Sequence, residues 1–469
     1  MKILLAASEL APLAYAGQIG EGVAGLASGL KALGHEVSVV LPRYRLGAEG
    51  GKPKRTGVKF SVPVGASRYP CEVYETRVAG VQVFLVARDE FFDRTGLYGN
   101  ENGDYQDNAA RYIFFTKAAL ELARRMDPSP DIIHANGWQT ALAGVFVREY
   151  GLPFRTVLTP YGLEFQGNFW SYDFGLTNLP GHYFSAGGLE FYGSMNFLKA
   201  GILFSDAVVM PDERAVAAAK TPAFGCGLEQ ILREQARKIW GIADGAATRG
   251  WDPSEDSGLA SAFGPKNPAA RAANWPAAER LFAWSPGDAG RRDLVVFSEA
   301  SDGLGIFFDA LDRILAHGAR VGGLGPVPAD CRKAFEIARR KYAGRLGWKE
   351  SFTERDARDA MAGCEFLVVP GGTDPRSGWL QRGLRYGLVP VAMQCDGIGQ
   401  FVKERRGGHG NGFLFFHATA DALADACRKA MGCADIAAAS AASLALEVSA
   451  RAAVDAHVEL YARLAPGEA

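Results

Sequence analysis

Residues 2–43, KILLAASELAPLAYAGQIGEGVAGLASGLKALGHEVSVVLPR, decide the fold class of this chain. Two short apolar runs, Lys2–Ser8 and Glu36–Arg43, flank a segment, Glu21–Leu33, in which apolar residues recur at helical spacing. A strand, a helix and a second strand in this order are typical of parallel strands joined by a crossover helix. The stretch therefore predicts an α/β fold.

The same alternation continues along the chain in two series. The further strands predicted in the first series are Val81–Ala87, Asp131–Ala135, Arg155–Tyr161 and Ala207–Pro211. Those predicted in the second series are Asp293–Phe297, Ala319–Gly325, Arg345–Trp348, Glu365–Pro370, Val389–Gln394 and Gly412–Phe416. Helices are predicted at Asn108–Arg125, Phe307–His317 and Asp330–Tyr342. The expected architecture is two doubly wound parallel sheets facing a cleft, with ligands bound outside the carboxyl ends of the strands.

A segment with few long apolar residues, Ala243–Pro276, separates the two series and predicts the interdomain connection. We predict one Rossmann-like domain over residues 1–242, a second over 243–445, and a C-terminal helix over 446–469 that packs back. The Ala-rich tail, Ala434–Leu464, is predicted to be helical and to serve packing rather than partner binding. At 469 residues, the chain is long enough for two such domains.

Composition excludes several classes of function. The net charge of −1 provides no global field toward nucleic acid or anionic membrane. The seven cysteines form no CxxC pair, and the His and Cys residues show no metal-ligand spacing. No apolar run approaches the length of a membrane span. The sequence therefore predicts a cytoplasmic protein without metal, cofactor, nucleic acid or membrane partners.

Six segments in order along the chain resemble the bacterial glycogen/starch synthases. They are Ala7–Pro12, His134–Thr140 (HANGWQT), Gly188–Gly201 (GLEFYGSMNFLKAG), Thr221–Glu229 (TPAFGCGLE), Leu384–Pro390 (LRYGLVP) and Gly412–Phe415. The resemblance implies a GT-B fold, with the acceptor side on the first domain and the nucleotide-sugar side on the second. It also implies metal-independent, retaining transfer of glucose from ADP-glucose, or UDP-glucose in some members, onto an α-1,4-glucan.

The first loop of the family reads Lys-Thr-Gly-Gly-Leu, and its lysine and glycines meet the phosphates of the donor. Here Tyr15 stands in place of the lysine and Gln18 in place of the second glycine, while Gly17 remains. Glu21 takes the place of an aspartate. The resemblance names Gly17, Gln18 and Glu21 as donor contacts, but the stretch is also consistent with a plain loop.

Three residues are the acceptor contacts that the resemblance implies: Tyr98, Trp138 and Gln139. The family has an aspartate just before this tryptophan, and this chain has Gly137. A tryptophan at the end of a buried strand is as typical of a core as of a sugar platform, so both interpretations of Trp138 stay open.

The reacting centre of the family carries a His-Asn pair, and this chain has Tyr161 and Gly162 there. Tyr161 donates a hydrogen bond but cannot become a cation near neutral pH. We therefore expect that the role of the histidine is lost rather than replaced.

The second domain of the family supplies an arginine and a lysine that neutralise the departing diphosphate. Glu299 stands in place of the arginine, and Asp302 adds a second acid nearby. Loss of one preorganised stabilising donor costs about 3–4 kcal/mol at the transition state. Loss of two, if additive, costs about 6–8 kcal/mol, or roughly 10⁴ to 10⁶ in rate.

The last donor motif of the family reads Glu-Pro-Cys-Gly-Leu-Thr, and Asp374–Trp379 stands in its place. Asp374 is one methylene shorter than the glutamate under the sugar, and Ser377 remains a donor contact. Arg376 is either a new phosphate contact or a solvated side chain. Trp348 matches a tyrosine near the nucleotide base and either stacks on that base or belongs to the core. Asp396 adds another acid near the phosphates.

Three functions fit these departures. The first is a catalytically impaired relative of the synthases that binds glucan or a partner synthase. The second is an active retaining glucosyltransferase in which Tyr161, Asp374 and Arg376 take new roles. The third is a GT-B enzyme with a less anionic donor, because acidic loops tolerate a neutral or cationic ligand better than a diphosphate.

The stretch QGNFWSYDFG brings together four aromatic residues, Phe169, Trp170, Tyr172 and Phe174. They form either a sugar-stacking platform or an ordinary packed loop, and the packed loop is the favoured interpretation.

Overall fold

The computed structural model describes residues 1–14, 16, 18–45, 53–101, 103–211, 213–242, 251–285, 292–298, 303–371, 378–395, 398–446 and 450–465. Close approaches between Cα atoms group the chain into two compact units. Unit 1 comprises Met1–Ala246 and Ala450–Ala469, and unit 2 comprises Ala247–Ser449. The domain limits expected from the sequence, 1–242, 243–445 and 446–469, remain predictions.

The strands of unit 1 are β1 (Lys2–Ala7), β2 (Glu36–Pro42), β3 (Lys54–Val64), β4 (Ser67–Val78), β5 (Val81–Ala87), β6 (Gly99–Asn100), β7 (Gly103–Asp104), β8 (Ile132–Asn136), β9 (Arg155–Thr159), β10 (Asn168–Phe169), β11 (Glu190–Phe191), β12 (Ser194–Asn196), β13 (Ala207–Met210) and β14 (Ile239–Gly241). Its helices up to the connection are α1 (Gln18–Ala32), α2 (Asp89–Phe92), α3 (Asn108–Arg125), α4 (Ala143–Glu149), α5 (Phe197–Phe204), α6 (Glu213–Ala219) and α7 (Glu229–Glu234).

Unit 2 contains α8 (Trp275–Phe282), β15 (Asp293–Phe297), α9 (Leu304–Ala316), β16 (Arg320–Leu324), α10 (Arg332–Lys341), β17 (Leu346–Lys349), α11 (Glu354–Gly363), β18 (Phe366–Val369), α12 (Trp379–Arg385), β19 (Val389–Met393), α13 (Ile398–Phe401), β20 (Phe413–Phe415), α14 (Ala420–Met431) and α15 (Ile436–Ala445). The last helix, α16 (Ala450–Leu464), belongs to unit 1.

The large sheet of unit 1 has the strand order β14-β13-β9-β8-β1-β2-β5-β4-β3. Strands β14 to β5 of this order run parallel, whereas β4 and β3 form an antiparallel hairpin at the edge. The order reverses between β1 and β8, which makes their carboxyl ends the switch point where α/β sheets bind ligands.

The sheet of unit 2 is parallel throughout, with the order β17-β16-β15-β18-β19-β20. In chain order this is 3-2-1-4-5-6, the order of a dinucleotide-binding Rossmann sheet. Its switch point lies between β15 and β18. The predicted strands of both parallel sheets end within two residues of the observed ones.

Several short strands, among them β14, were not predicted from the sequence, and two larger parts of the fold also differ from the prediction. The hairpin β3–β4 was not predicted, because most of β3 alternates between exposed and half-buried residues and carries few long apolar side chains. The tail predicted as one helical stretch contains two helices, α15 in unit 2 and α16 in unit 1. Among the described residues, no helix has the length and apolar character needed to cross a bilayer.

The connection before β15 packs on unit 2 through polar contacts of buried groups. The Arg271 guanidinium donates to the backbone oxygens of Tyr386, at 2.8 Å, and Met361, at 3.0 Å. The Asp256 carboxylate accepts from the Tyr386 hydroxyl at 2.9 Å and from Arg358 at 3.2 Å. These bonds hold residues 251–274, which form no strand, against α11 and the end of α12.

Helix α16 packs back onto α1 and the sheet of unit 1 through two buried aromatic side chains. The Tyr461 hydroxyl lies 2.6 Å from Nδ1 of His134 in β8, whose Nε2 lies 2.8 Å from the Thr159 hydroxyl at the end of β9. The His457 ring lies 5.7 Å from the His134 ring. Burial lowers the pKa of His457 to about 4, and burial together with His457 lowers the pKa of His134 well below its usual value.

The histidines His134 and His457 predict that acid weakens the packing of α16 on unit 1. Because both folded pKa values lie below the unfolded value of about 6.5, the native state binds fewer protons than the unfolded state once the pH falls below that value. The contribution of the two histidines to the free energy of unfolding should therefore be constant above about pH 6.5 and fall between about pH 6.5 and 4, by up to about 1.4 kcal/mol per pH unit for each histidine. Urea unfolding at several pH values measures this slope.

The replacement His457→Gln should make the slope shallower, whereas His317→Gln, at an exposed histidine after α9, should leave it unchanged. Equal slopes for all three proteins would contradict the assignment.

Candidate functional site

The carboxyl edge of the unit 1 sheet gathers the loops that the sequence named. The chain leaves β1 at Ser8, leaves β8 at Gly137 and leaves β9 at Pro160, and the first turn of α1 lies beside them. These loops follow β1, β8 and β9, three adjacent strands whose carboxyl ends meet at the switch point.

A buried polar network joins the loop after β1 to Tyr98. The Tyr98 hydroxyl donates to Glu9 Oε1 at 2.5 Å and lies 2.8 Å from the Ser8 hydroxyl. Glu9 Oε2 accepts from the backbone N–H of Ala16 at 2.7 Å. Burial, followed by Tyr112 and the Glu9 carboxylate, raises the pKa of Tyr98 well above its usual value. Tyr98 therefore stays protonated and keeps donating to the carboxylate.

Helix α3 supports Tyr98 from behind. Asn108, the first residue of α3, donates to the Tyr98 backbone oxygen at 2.9 Å, and its own side-chain oxygen accepts from Arg111 at 2.5 Å. Arg111 is fully buried and also donates to the Leu97 oxygen at 2.9 Å. The Tyr112 ring lies 6.1 Å from the Tyr98 ring. These contacts hold the predicted acceptor residue rigidly at the sheet edge.

The other predicted acceptor residues follow β8. Trp138 is half-buried, with its ring 5.2 Å from Tyr112, 5.6 Å from Phe169 and 6.2 Å from Phe197. The structure therefore gives Trp138 a packing role, and its contact with a sugar stays a prediction. Gln139 is buried, and its Oε1 has no hydrogen-bond partner in the described part of the chain.

Gly137 adopts φ 80° and ψ 168°, a backbone conformation that is essentially restricted to glycine. A Cβ atom there would stand 2.4 Å from Gln139 Oε1 and 2.8 Å from the Ile19 side chain. The family aspartate that the resemblance places here would therefore meet both backbone strain and a steric clash.

Tyr161 lies at the same edge, at the position of the family histidine. Its hydroxyl donates to Asn136 Oδ1 at 3.2 Å, and its backbone is left-handed, with φ 63°. Its ring covers Gly22 in α1, where a Cβ atom would lie 2.6 Å from both the ring and the hydroxyl. The tyrosine thus fills the space between the start of α1 and the end of β8.

The predicted donor contacts of α1 lie in its first turn. Gln18 is the first residue of the helix, and Glu21, three residues later, is exposed. Eight further positions named from the sequence lie outside the described residues: Tyr15, Gly17, Glu299, Asp302, Asp374, Arg376, Ser377 and Asp396.

Aromatic rings pack together beside the carboxyl end of β15 in unit 2. Trp379, the first residue of α12, stacks on Phe297, the last residue of β15, with the ring centroids 4.4 Å apart and the planes 8° apart. Phe352 lies 5.8 Å and Trp251 lies 5.9 Å from the Trp379 ring. We call Trp251, Phe297, Phe352 and Trp379 the switch-point cluster.

Two further contacts close this region. The Arg382 guanidinium lies 4.9 Å from the centre of the Trp379 ring and 4.8 Å from that of Trp251, which are cation–π distances. The backbone of Gly303 lies against the loop after β18, where a Cβ atom would stand 2.4 Å from the Gly371 nitrogen. The described loops thus approach each other closely.

Trp348 packs inside unit 2. Its indole N–H donates to the Gly325 oxygen at 2.7 Å, and its ring lies 5.3 Å from Phe308 and 5.6 Å from Phe335. These contacts fit the interpretation of Trp348 as a core residue, and its stacking on a nucleotide base remains a prediction.

Sequence reasoning missed Glu9, Ser8 and Asn136, which organise the unit 1 edge. A signal was available for Glu9, because an acid two residues after a mostly apolar strand falls at the carboxyl end of that strand. In the described ranges, no group of three or more His, Cys, Asp or Glu side chains is placed to hold a metal ion.

The geometry at Gly137 predicts a cost for restoring the family residue. The replacement Gly137→Asp should lower the free energy of unfolding by about 1–3 kcal/mol because of the disallowed backbone conformation. The control Gly187→Asp, in an exposed loop where no atom would crowd the new Cβ, should stay within about 0.5 kcal/mol of the parent protein. Chemical denaturation measures both, and equal stabilities would contradict the predicted strain.

Comparison with known proteins shows which family this chain resembles. A family model described as the starch synthase catalytic domain matches residues 2–234. The chain is 32% identical over 444 residues to glycogen synthase 2 of Geobacter metallireducens, covering 92% of this chain and 91% of that protein. It is also 32% identical over 444 residues to the glycogen synthase of Myxococcus xanthus, covering 92% of each.

Solved structures show the fold. The catalytic domain of starch synthase IV from Arabidopsis thaliana, bound to ADP and acarbose, matches with a TM-score of 0.84 at 23% identity, covering 99% of both chains. Sucrose-phosphate synthase from Thermosynechococcus elongatus matches with a TM-score of 0.58 at 13% identity, covering 99% of this chain and 98% of that one. Two Rossmann-like sheets and these likenesses give the chain the GT-B fold, and its identity to the curated relatives places it in the glycogen/starch synthase family.

Proposed function

We propose that this chain is a catalytically impaired member of its family that binds α-glucan and does not transfer glucose at an enzymatic rate. The ligand class comes from the family, whose starch synthase IV member was solved with acarbose. A partner synthase is a second possible ligand within the same proposal. The seven cysteines are free thiols, which supports a place in the reducing cytoplasm.

The switch-point cluster carries the proposal of impairment. A metal-independent transferase needs N–H donors and cations around the diphosphate. Here the face of an aromatic ring, which is electronegative, lies at the carboxyl end of β15. The Trp379 indole occupies the first position of α12, where the resemblance expects a threonine. A stacked indole supplies no charge for a departing diphosphate, and the nearby Arg382 guanidinium lies over the Trp379 and Trp251 rings.

The unit 1 edge supports glucan binding without transfer. The network of Ser8, Glu9 and Tyr98 is intact, and Trp138 keeps its place beside it. Tyr161, in place of the histidine, is hydrogen-bonded to Asn136 and lacks a cationic form near neutral pH. These contacts support a retained acceptor side, whereas the histidine expected to stabilise the reacting centre is absent from the sequence.

Calorimetric titration and a transfer assay test the proposal together. Maltoheptaose should bind with a Kd below about 1 mM, whereas ADP-glucose should give no saturable heat at that concentration. Glycogen incubated with ADP-glucose or UDP-glucose should gain no glucose. A turnover of about 1 s⁻¹ or more, the lower end of typical enzymes, would overturn the impairment and favour the active transferase.

The Glu9–Tyr98 hydrogen bond yields a second prediction. The replacement Tyr98→Phe keeps the ring but removes the donor to the Glu9 carboxylate. The carboxyl edge of the unit 1 sheet, which we propose as the acceptor edge, then loses its fixed geometry. Maltoheptaose affinity should fall about tenfold, corresponding to about 1.4 kcal/mol. The matched control Tyr192→Phe, at a tyrosine that is 86% exposed, should bind like the parent protein. Unchanged binding by Tyr98→Phe would remove this edge from the glucan site.

A further inference from the structure

Two aromatic side chains of unit 1 lie side by side at the surface. Trp170 is 68% exposed and Tyr172 is 76% exposed, and their ring centroids are 4.4 Å apart with the planes tilted by 48°. We call these two residues the platform. Large aromatic side chains exposed together are unusual on a soluble surface and mark interaction sites.

The other two aromatic residues of the same stretch point inward. Phe169 lies 4.8 Å from Phe197, and Phe174 lies 5.2 Å from Phe184. The packed-loop interpretation is therefore correct for these two residues, whereas the platform residues remain uncovered. Inward rings hold the loop and outward rings face solvent.

The loop that carries the platform is fixed at several points. It forms a 3-10 helix, Ser171–Thr177, and ends at Asn178 in the left-handed region. Asn178 donates to the Gly65 oxygen at 2.8 Å and accepts from the buried Lys117 ammonium at 2.9 Å. The Gly65 N–H donates to the Leu176 oxygen at 3.0 Å. A surface held this firmly loses little conformational entropy on binding.

The charges of the segment disfavour an anionic ligand. No lysine or arginine occurs between Arg155 and Lys199. The acids of this stretch are Glu164, Asp173 and Glu190. A nucleotide, phosphate or nucleic acid would find no cation in this loop, whereas a neutral ligand meets no repulsion.

The platform is joined to the carboxyl edge of the unit 1 sheet through one residue of the chain. Phe169 directly precedes Trp170 and lies 5.6 Å from Trp138, which follows β8. The exposed rings thus belong to the loop that packs against this edge.

We propose that the platform binds a neutral α-glucan chain, an inference that rests on the proposed function. The apolar C–H face of a glucose ring packs on the face of an aromatic ring, where the C–H hydrogens meet the electronegative π face. The ligand forms no covalent bond here.

Affinity electrophoresis in gels containing glycogen tests the platform on the full chain. The double variant Trp170→Ala/Tyr172→Ala should lose at least about tenfold in glycogen affinity, as for truncation of a central aromatic anchor. The variant Trp170→Phe/Tyr172→Phe, which keeps both rings, should retain most of the affinity. Since both side chains are exposed, circular dichroism and the thermal midpoint should match those of the parent protein.

The control Phe416→Ala removes an aromatic side chain that is 63% exposed in unit 2 and should bind glycogen like the parent protein. If the parent binds glycogen and the double alanine variant binds equally, the inference is overturned, the proposed function stands, and a protein partner becomes the candidate for the platform. If the parent binds neither glycogen nor maltoheptaose, the proposed function fails and the inference fails with it.

Discussion

The hydrogen bond between the Tyr461 hydroxyl and His134 Nδ1, 2.6 Å long, is the contact on which the unit 1 site depends. The same imidazole reaches the Thr159 hydroxyl through its other nitrogen. His134 stands two positions before Asn136, and Thr159 stands two positions before Tyr161. Both hydrogen-bonded strand residues thus lie next to residues of the candidate site. A side chain from α16 therefore fixes the ends of β8 and β9, and with them the loops at the carboxyl edge of the unit 1 sheet. Because the imidazole is buried and neutral, this arrangement needs no counter-charge.

The two switch points use the same topology with opposite chemistry. In unit 1, hydrogen bonds join the buried Glu9 carboxylate to the Tyr98 hydroxyl and the Asn136 amide to the Tyr161 hydroxyl, an arrangement suited to a polar ligand. In unit 2, stacked rings lie at the end of β15 and gain about 25 cal/mol for each Å² of apolar area buried, without any ligand. A binding site must leave groups available, and that availability commonly lowers stability. Apolar rings that pack on each other carry no such cost.

The parallel strands were predictable because buried strands are short, continuous apolar runs bounded by polar or small residues, as in β1 and β15. The hairpin β3–β4 was not, because its alternating half-buried residues lack such a signal. At the site, Tyr98 and Trp138 followed from the resemblance, whereas the partnership of Tyr98 with Glu9 joins residues far apart in sequence. The QGNFWSYDFG stretch shows the limit most clearly. Nothing local distinguishes Phe169 from Trp170, since which ring turns inward depends on the neighbouring Trp138 and Phe197.

The backbone at Gly137 also bears on the history open to this protein. An aspartate that returned there would strain the backbone between β8 and the following 3-10 turn and would push aside the ends of the Ile19 and Gln139 side chains. A single substitution toward the family residue therefore starts with a loss of stability of about 1–3 kcal/mol. A second change that relaxes this turn would make the return less costly.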